Sequence, residues 1–209
     1  MSRSRGSLKI VLATRNLGKL REMRGLLGGL GVEVMSLADF PDAPEVVEDG
    51  KSFRENALKK ARAVADFTGL PALSDDSGLC VDALDGAPGI YSARFAGEDA
   101  DDAANNRKLL KLLKGVPDDR RDAKFVCVIA LAWPDEETKK FKTFRGEVRG
   151  IIAQTPSGEA GFGYDPLFFY RPAGKTFAVM GPDKAAVSHR ARALRKFREY
   201  LAEQMDLLA

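Results

Sequence analysis

Thr14-Arg15-Asn16-Leu17-Gly18-Lys19 runs from an apolar stretch into a predicted helix. A helix start offers free N–H groups, Gly18 permits close approach, and Lys19 adds positive charge, so the segment can bind an anion. It lacks the Walker A spacing. So does Gly174-Lys175-Thr176, where Phe169 stands at the first glycine position. A plainer reading stays open beside it: Asn16 caps a helix and Lys19 faces water.

Asp75-Asp76-Ser77-Gly78, with Glu48 upstream, gathers carboxylates at the end of an apolar strand. Adjacent carboxylates repel unless they share a cation or a proton. Oxygen-rich sets of this kind suit Mg²⁺, which takes a few carboxylates together with substrate phosphate oxygens. Because neighbouring strand residues point to opposite faces, a turn is expected here, so that both side chains serve one site. An ordinary Asp-Ser-Gly surface turn fits the same residues. Asn56 and Lys60 share a helical face at i,i+4, on which a surface lysine is also a plain reading. Phe162-Gly163-Tyr164-Asp165 offers a flat stacking surface, and Lys184, His189 and Arg190 offer donors for a polar heterocycle edge. Core packing of Phe162 and Tyr164, and a satisfied His189 beside an N-capping Ser188, are the competing readings.

The elements that must position these residues alternate as in an α/β fold. SLKIVLA reads as a buried strand and TRNLGKLREMRGLLGGLG as a helix capped by Asn16 and closed by glycines. VEVMSL reads as a second strand. SFRENALKKARAVADFTG is a helix with a Ser52–Glu55 capping box and an apolar stripe of Phe53, Ala57, Ala61, Val64 and Phe67. LPALSDDSGLCVDAL reads as two short strands broken at the acidic pair, and a helix centres on NNRKLLKLLKG. DAKFVCVIALAW and TKKFKTFRGEVRG read as an antiparallel pair joined at Pro134-Asp135. Val187, Ala191, Leu194, Phe197, Leu201 and Met205 recur at helical spacing near the C-terminus. A mixed sheet flanked by helices accommodates this order, as a single domain over residues 1–209.

Composition excludes several classes. The chain has 33 Lys and Arg against 30 Asp and Glu, a net charge of +3, with 44% hydrophobic and 30% charged residues. These are ordinary globular values, not those of disordered or fibrous chains. The longest apolar run, Phe125 to Trp133, falls far short of the roughly 20 residues of a membrane span. The N-terminus lacks a signal-peptide pattern, so a cytoplasmic location is expected. Cys80 and Cys127 each lie in an apolar run and read as core fillers. With His189 the sole histidine, a zinc cluster finds too few ligands. The basic stretch at residues 189–198 reads as a solvated helix face, so no nucleic-acid partner is expected.

Taken in order, these motifs resemble the inosine/xanthosine triphosphate pyrophosphatase family. The resemblance rests on Thr14-x-Asn16-x-x-Lys19, on Glu48 followed by Ser52-Phe53-x-Glu55-Asn56-Ala57-x-x-Lys60-Ala61, and on Asp75-Asp76-Ser77-Gly78-Leu79. It continues through Gly86-Ala87-Pro88-Gly89-Ile90-Tyr91-Ser92-Ala93-Arg94, Gly161-Phe162-Gly163-Tyr164-Asp165-Pro166 and Ser188-His189-Arg190. Departures are few: Ala185 stands where the family usually carries Asn, the preceding VMGPD lacks the usual Leu and Glu, and Ser52 replaces the commoner Thr. The resemblance implies an elongated mixed α/β structure of two lobes with a central substrate cleft, usually a homodimer. It implies Mg²⁺-dependent hydrolysis of ITP, dITP and XTP to the monophosphate and pyrophosphate. By motif position, Thr14, Asn16, Lys19 and Lys60 would hold the triphosphate. Glu48, Asp75 and Asp76 would arrange metal and water, with Asp76 as proton acceptor, and Ser77 would touch substrate. Phe162 would stack on the purine, and Asp165, Lys184, His189 and Arg190 would read its edge.

The chemistry agrees with that implication. Displacement at phosphorus asks for positioning and charge neutralisation more than for a protein nucleophile. Hypoxanthine and xanthine carry an oxygen at position 6, where adenine carries an amino donor, so protein donors there would oppose adenine. Two other functions remain in competition: a pyrophosphatase of modified pyrimidine or methylated nucleotides, and a non-catalytic nucleotide or RNA binder. Three carboxylates near a polyphosphate speak against the binder unless a metal intervenes.

Overall fold

The computed structural model describes residues 8–28, 31–134 and 140–206. Seven strands form one mixed sheet: β1 (Leu8–Leu12), β2 (Val32–Ser36), β3 (Ala72–Val81), β4 (Asp122–Ala132), β5 (Phe141–Ile152), β6 (Phe168–Tyr170) and β7 (Lys175–Thr176). Their order across the sheet is β2-β1-β3-β4-β5-β6-β7. β1 runs parallel to both β2 and β3, with Val11 opposite Ala72 and Leu12 opposite Leu73. β6 is antiparallel to β5 and β7. The helices are α1 (Leu17–Leu27), α2 (Phe53–Thr68), α3 (Asp102–Leu112), α4 (Phe177–Met180), α5 (Lys184–Val187) and α6 (His189–Asp206). The expected α/β class and mixed sheet are thus observed. Among the described residues, no helix is long and apolar enough to cross a membrane.

The chain divides into two compact units. The first comprises Met1–Asp76, Val128–Arg145 and Ala193–Ala209. In it, Ile10, Val11 and Leu12 of β1 are fully buried, as are Met23 of α1 and Ala57 and Ala61 of α2. The ring of Phe144 meets that of Phe197 edge-on at 5.5 Å. Local signals set the helix starts. Asn16 Oδ1 accepts from the Lys19 N–H at 3.0 Å, and Ser52 Oγ accepts from the Glu55 N–H at 3.2 Å. The Glu55 carboxylate reaches one residue further back than a capping box requires, accepting from the Lys51 N–H at 2.7 Å. The α2 stripe differs at one end: Phe67 is 46% exposed, and Ala65 is buried instead.

The second unit comprises Ser77–Cys127 and Gly146–Arg192. Its core joins Leu79, Val81, Leu109, Phe125, Val148, Tyr164, Phe168 and Phe177. β6 and β7 are only three and two residues long, so ladder hydrogen bonds hold little. Burial of Phe168 and Phe177, at about 1.5–3 kcal/mol for each ring, holds that segment instead. Ser92 ties a neighbouring loop to β3, since its Oγ accepts from the Leu79 N–H at 2.9 Å.

Two expectations change. The acidic pair does not break a strand: β3 runs unbroken from Ala72 to Val81. It lies between β1 and β4, and pairing on both sides overrides the turn preference of Asp-Ser-Gly. The basic stretch at residues 189–198 is not one solvated face either, for His189 and Arg190 are buried while Arg195, Lys196 and Arg198 are exposed. Ser188 caps α6 as expected, accepting from the Ala191 N–H at 3.1 Å. The Val187 position falls before that cap, in α5. Asp135 and the side chain of Met205 lie outside the described residues.

Candidate active site

In the first unit, three carboxylates and two lysines come together. Lys19 Nζ lies 3.2 Å from Asp75 Oδ2. Lys60 Nζ lies 2.9 Å from Glu48 Oε1 and 3.7 Å from Asp76 Oδ1. From successive positions of the continuous β3, Asp75 pairs with Lys19 and Asp76 with Lys60, and the pairs are close enough that Lys19 also acts on Asp76 and Asp75 on Lys60. This replaces the expected turn. Lys60 is no surface lysine: its side chain is 13% exposed, held on the same face of α2 as the fully buried Asn56. Asn56 Oδ1 accepts from the Gly50 N–H at 2.8 Å, and a Cβ on Gly50 would lie 2.5 Å from that oxygen. Gly50 therefore fixes the loop that delivers Glu48, a role with no signal in local sequence.

Electrostatics distinguish the members. Burial pushes the Asp76 carboxyl up to about 6, against the opposing pull of Lys60 and Lys19 and with added repulsion from Glu48. Burial alone would lower Lys60, but Asp76, Asp75 and Glu48 outweigh it and hold its ammonium above the usual range. Buried ion pairs are weak evidence for stability. A buried carboxylate shifted toward neutrality beside a lysine is the arrangement expected of a proton acceptor.

Around the anion segment, the structure assigns local tasks. Thr14 Oγ1 accepts from the Asn16 N–H at 3.2 Å, and the Arg15 guanidinium donates to the Ala43 carbonyl at 2.9 Å. Leu17 is 71% exposed, and Gly18 follows it inside the first turn of α1. Arg15 is thus engaged in tethering a loop, and only Lys19 of this segment reaches the carboxylates among the described contacts.

Mg²⁺ is implied by the family resemblance and can be weighed against the donor set. All three candidate ligands are carboxylates, the right chemistry for a hard cation. Yet among the described residues no group of three His, Cys, Asp or Glu is arranged to hold a metal ion. Glu48, Asp75 and Asp76 do not form a ready cage, because Asp75 turns to Lys19 while Glu48 and Asp76 flank Lys60. The pair Glu48–Asp76 still fits an ion that takes one or two carboxylates and completes its shell with substrate phosphates.

In the second unit, the other candidates surround Phe162, which is half-buried. Lys184 Nζ lies 4.9 Å from its ring centroid and Arg190 Cζ 5.7 Å. Asp165 Oδ2 accepts from Lys184 Nζ at 2.6 Å and from the Phe162 N–H at 3.1 Å, so Asp165 positions both rather than reading a base edge with that oxygen. Gly161 makes this possible: its φ is +86°, and a Cβ there would lie 2.1 Å from Asp165 Oδ2. Arg190, 1% exposed, donates to Ser77 Oγ at 3.0 Å.

Three further candidates are engaged within the protein. Tyr164 is a core residue, 4% exposed, and its hydroxyl donates to the Ser92 carbonyl at 2.8 Å. Burial, then the nearby Asp102, drives its phenol well above the ordinary range. The Gly163 backbone is bonded to side chains of α3 and offers substrate no free amide. The His189 ring, 4% exposed, stacks on Phe125 with centroids 4.7 Å apart and planes 12° from parallel.

A mixed seven-stranded sheet carrying these two groups has clear counterparts. Residues 10–200 match the Ham1 family model. A HAM1 protein from Coxiella burnetii superposes with a TM-score of 0.85 at 43% identity, covering 94% of this chain and 99% of that one. The Staphylococcus aureus Ham1 protein gives 0.83 at 40% identity, covering 94% and 99%. This chain belongs to the Ham1 family. The dITP/XTP pyrophosphatase of Geobacter sulfurreducens is 56% identical over 197 residues, 94% of this chain and 98% of the relative.

Proposed function

We propose that this chain hydrolyses deaminated purine nucleoside triphosphates, ITP, dITP and XTP, to the monophosphate and pyrophosphate. The observation that carries this reading is Lys60 held between Glu48 and Asp76, with Lys19 on Asp75. The names of its relatives support the same activity. Lys19 and Lys60 neutralise the polyphosphate, and Lys60 stabilises the charge that builds on departing pyrophosphate. Water attacks the α-phosphorus, the bond to the β-phosphate breaks, and Asp76 takes the proton released. Mg²⁺, bound through Glu48 and Asp76 together with substrate phosphates, would polarise the α-phosphate and acidify water.

The purine stacks on Phe162. Lys184 and Arg190 supply cationic donors that suit a 6-oxygen and oppose the 6-amino group of adenine. A homodimer in the cytoplasm is the further setting we propose, tested by native mass and by fractionation.

The deciding experiment is pyrophosphate release from ITP, XTP, dITP, GTP and ATP, with and without Mg²⁺. The reading requires release from the first three substrates in the presence of Mg²⁺ and little from ATP. Equal turnover of ATP, or binding without turnover, overturns it.

A further inference from the structure

Two side chains of α3 have no part in the chemistry above, yet both end on the turn that carries Phe162. Asp102 and Asn106 lie one helical turn apart on the same face. The Gly163 N–H donates to Asp102 Oδ2 at 2.6 Å, and Asn106 Nδ2 donates to the Gly163 carbonyl at 2.9 Å. The turn itself supplies two more bonds: the Phe162 N–H donates to Asp165 Oδ2 at 3.1 Å, and the Asp165 N–H donates to the Phe162 carbonyl at 3.4 Å. Every backbone polar group of Phe162 and Gly163 is therefore engaged, half of them by α3.

The segment needs such a grip. Gly158, Gly161 and Gly163 all have positive φ, and glycine-rich chain loses the most conformational entropy when it is fixed, about 1–2 kcal/mol per residue. α3 is itself anchored: Asp101 caps it, Leu109 is fully buried, and Asn105 bonds the Ala96 N–H and the Ala93 carbonyl. Asn106 makes its bond although its Oδ1 is buried with no hydrogen-bond partner, an expense that its hold on Gly163 offsets.

We propose that Asp102 and Asn106 are positioning residues that pre-set the Phe162 ring for a purine and so govern affinity for the base without touching substrate. This rests on the function proposed above. A ring held in place keeps the whole benefit of stacking, whereas one that must be ordered on binding loses part of it.

The test compares wild type with Asn106→Ala, Asp102→Ala and Asp102→Asn. It measures KM for ITP, the inhibition constant of tripolyphosphate (which has the phosphates and no base), and thermal unfolding. Both alanine variants are expected to raise KM for ITP by about three- to tenfold, one hydrogen bond's worth. Inhibition by tripolyphosphate should not move. Asp102→Asn, whose amide oxygen can still accept from Gly163, should return KM to near the wild-type value. Because Asp102 is exposed, the Ala/Asn pair remains informative if Asn106→Ala does not fold. Parallel weakening of ITP and tripolyphosphate, an unmoved KM, or failure of Asp102→Asn to rescue overturns the proposal. Wild-type turnover of ITP with unmoved KM in the variants removes the grip alone, whereas no turnover by wild type removes the function itself.

Discussion

Lys60 Nζ stands 2.9 Å from Glu48 Oε1, an ion pair between a helix and the long loop that precedes it. Asp76 approaches the same ammonium at 3.7 Å from the middle of β3. Lys19, distant in sequence, meets Asp75 at 3.2 Å, so the N-terminal lysine segment and the paired aspartates are within ion-pair distance. Charges assembled this way give a polyphosphate cations to bind and a water molecule a carboxylate to lose its proton to.

Lys60→Ala should lower kcat on ITP by roughly 10²–10³-fold, the scale of losing one preorganised charge at a developing anion. Lys60 is held protonated above its ordinary range and draws the Asp76 carboxyl down, so the loss should be present up to pH 9 and larger near pH 6. Steady-state kinetics across that range provide the check, and a drop of less than fivefold would remove Lys60 from the mechanism.

Asp76 makes rate and stability respond to pH in opposite directions. As proton acceptor it must be ionised, so kcat/KM should fall as pH drops through about 6. Its folded-state value lies above the unfolded value of 3.8, so the native state binds the extra proton between these two limits. The stability associated with that proton is present below pH 3.8 and is lost as pH rises to about 6. Asp76→Asn should therefore abolish pyrophosphate release yet raise stability at pH 7.5 by on the order of 2 kcal/mol, with little gain at pH 4. Urea unfolding in metal-free buffer at the two pH values measures this; a destabilised Asn variant at pH 7.5 would contradict it.

Two neighbouring glycines should tolerate alanine differently. Gly163 has φ +65° and open space where a Cβ would go, so Gly163→Ala should cost only about 1–2 kcal/mol of backbone strain. At Gly161 the same strain is joined by a Cβ placed 2.1 Å from Asp165 Oδ2. Gly161→Ala should displace Asp165 from Lys184 and Phe162, raise KM for ITP, and lower the melting temperature more than Gly163→Ala does. Equal effects of the two substitutions would mean that Asp165 does not depend on Gly161.

Arg121 has a purely architectural task. It is 1% exposed and donates to the carbonyls of Ile152 at 2.7 Å, Leu113 at 2.9 Å and Ala153 at 3.1 Å. Arg121→Ala leaves those acceptors without their donor and should cost more than about 3 kcal/mol, and lysine cannot restore the fork. Denaturant unfolding gives the cost, and the folded fraction should keep the wild-type kcat.

What the sequence made legible was local. Asn16 and Ser52 cap their helices as their side chains dictate, and the spacing of Asn56 and Lys60 placed them on one face of α2. Side chains with partners from distant segments were harder to read. The Tyr164 hydroxyl goes to the Ser92 carbonyl and the His189 ring lies on Phe125, partners brought close only by folding. Asp75-Asp76-Ser77-Gly78 has the composition of a turn, and only the strands on either side of β3 keep it extended. The close approach of Gly161 to Asp165, which leaves no room for a Cβ, is likewise set by the fold and by φ, which residue type alone does not convey.

The most direct measurement is phosphorus NMR of ITP hydrolysed by the protein in ¹⁸O-enriched water. Attack at the α-phosphorus requires IMP carrying the label, together with unlabelled pyrophosphate. Label in pyrophosphate, or IDP and inorganic phosphate as products, would contradict the roles given to Asp76 and Lys60.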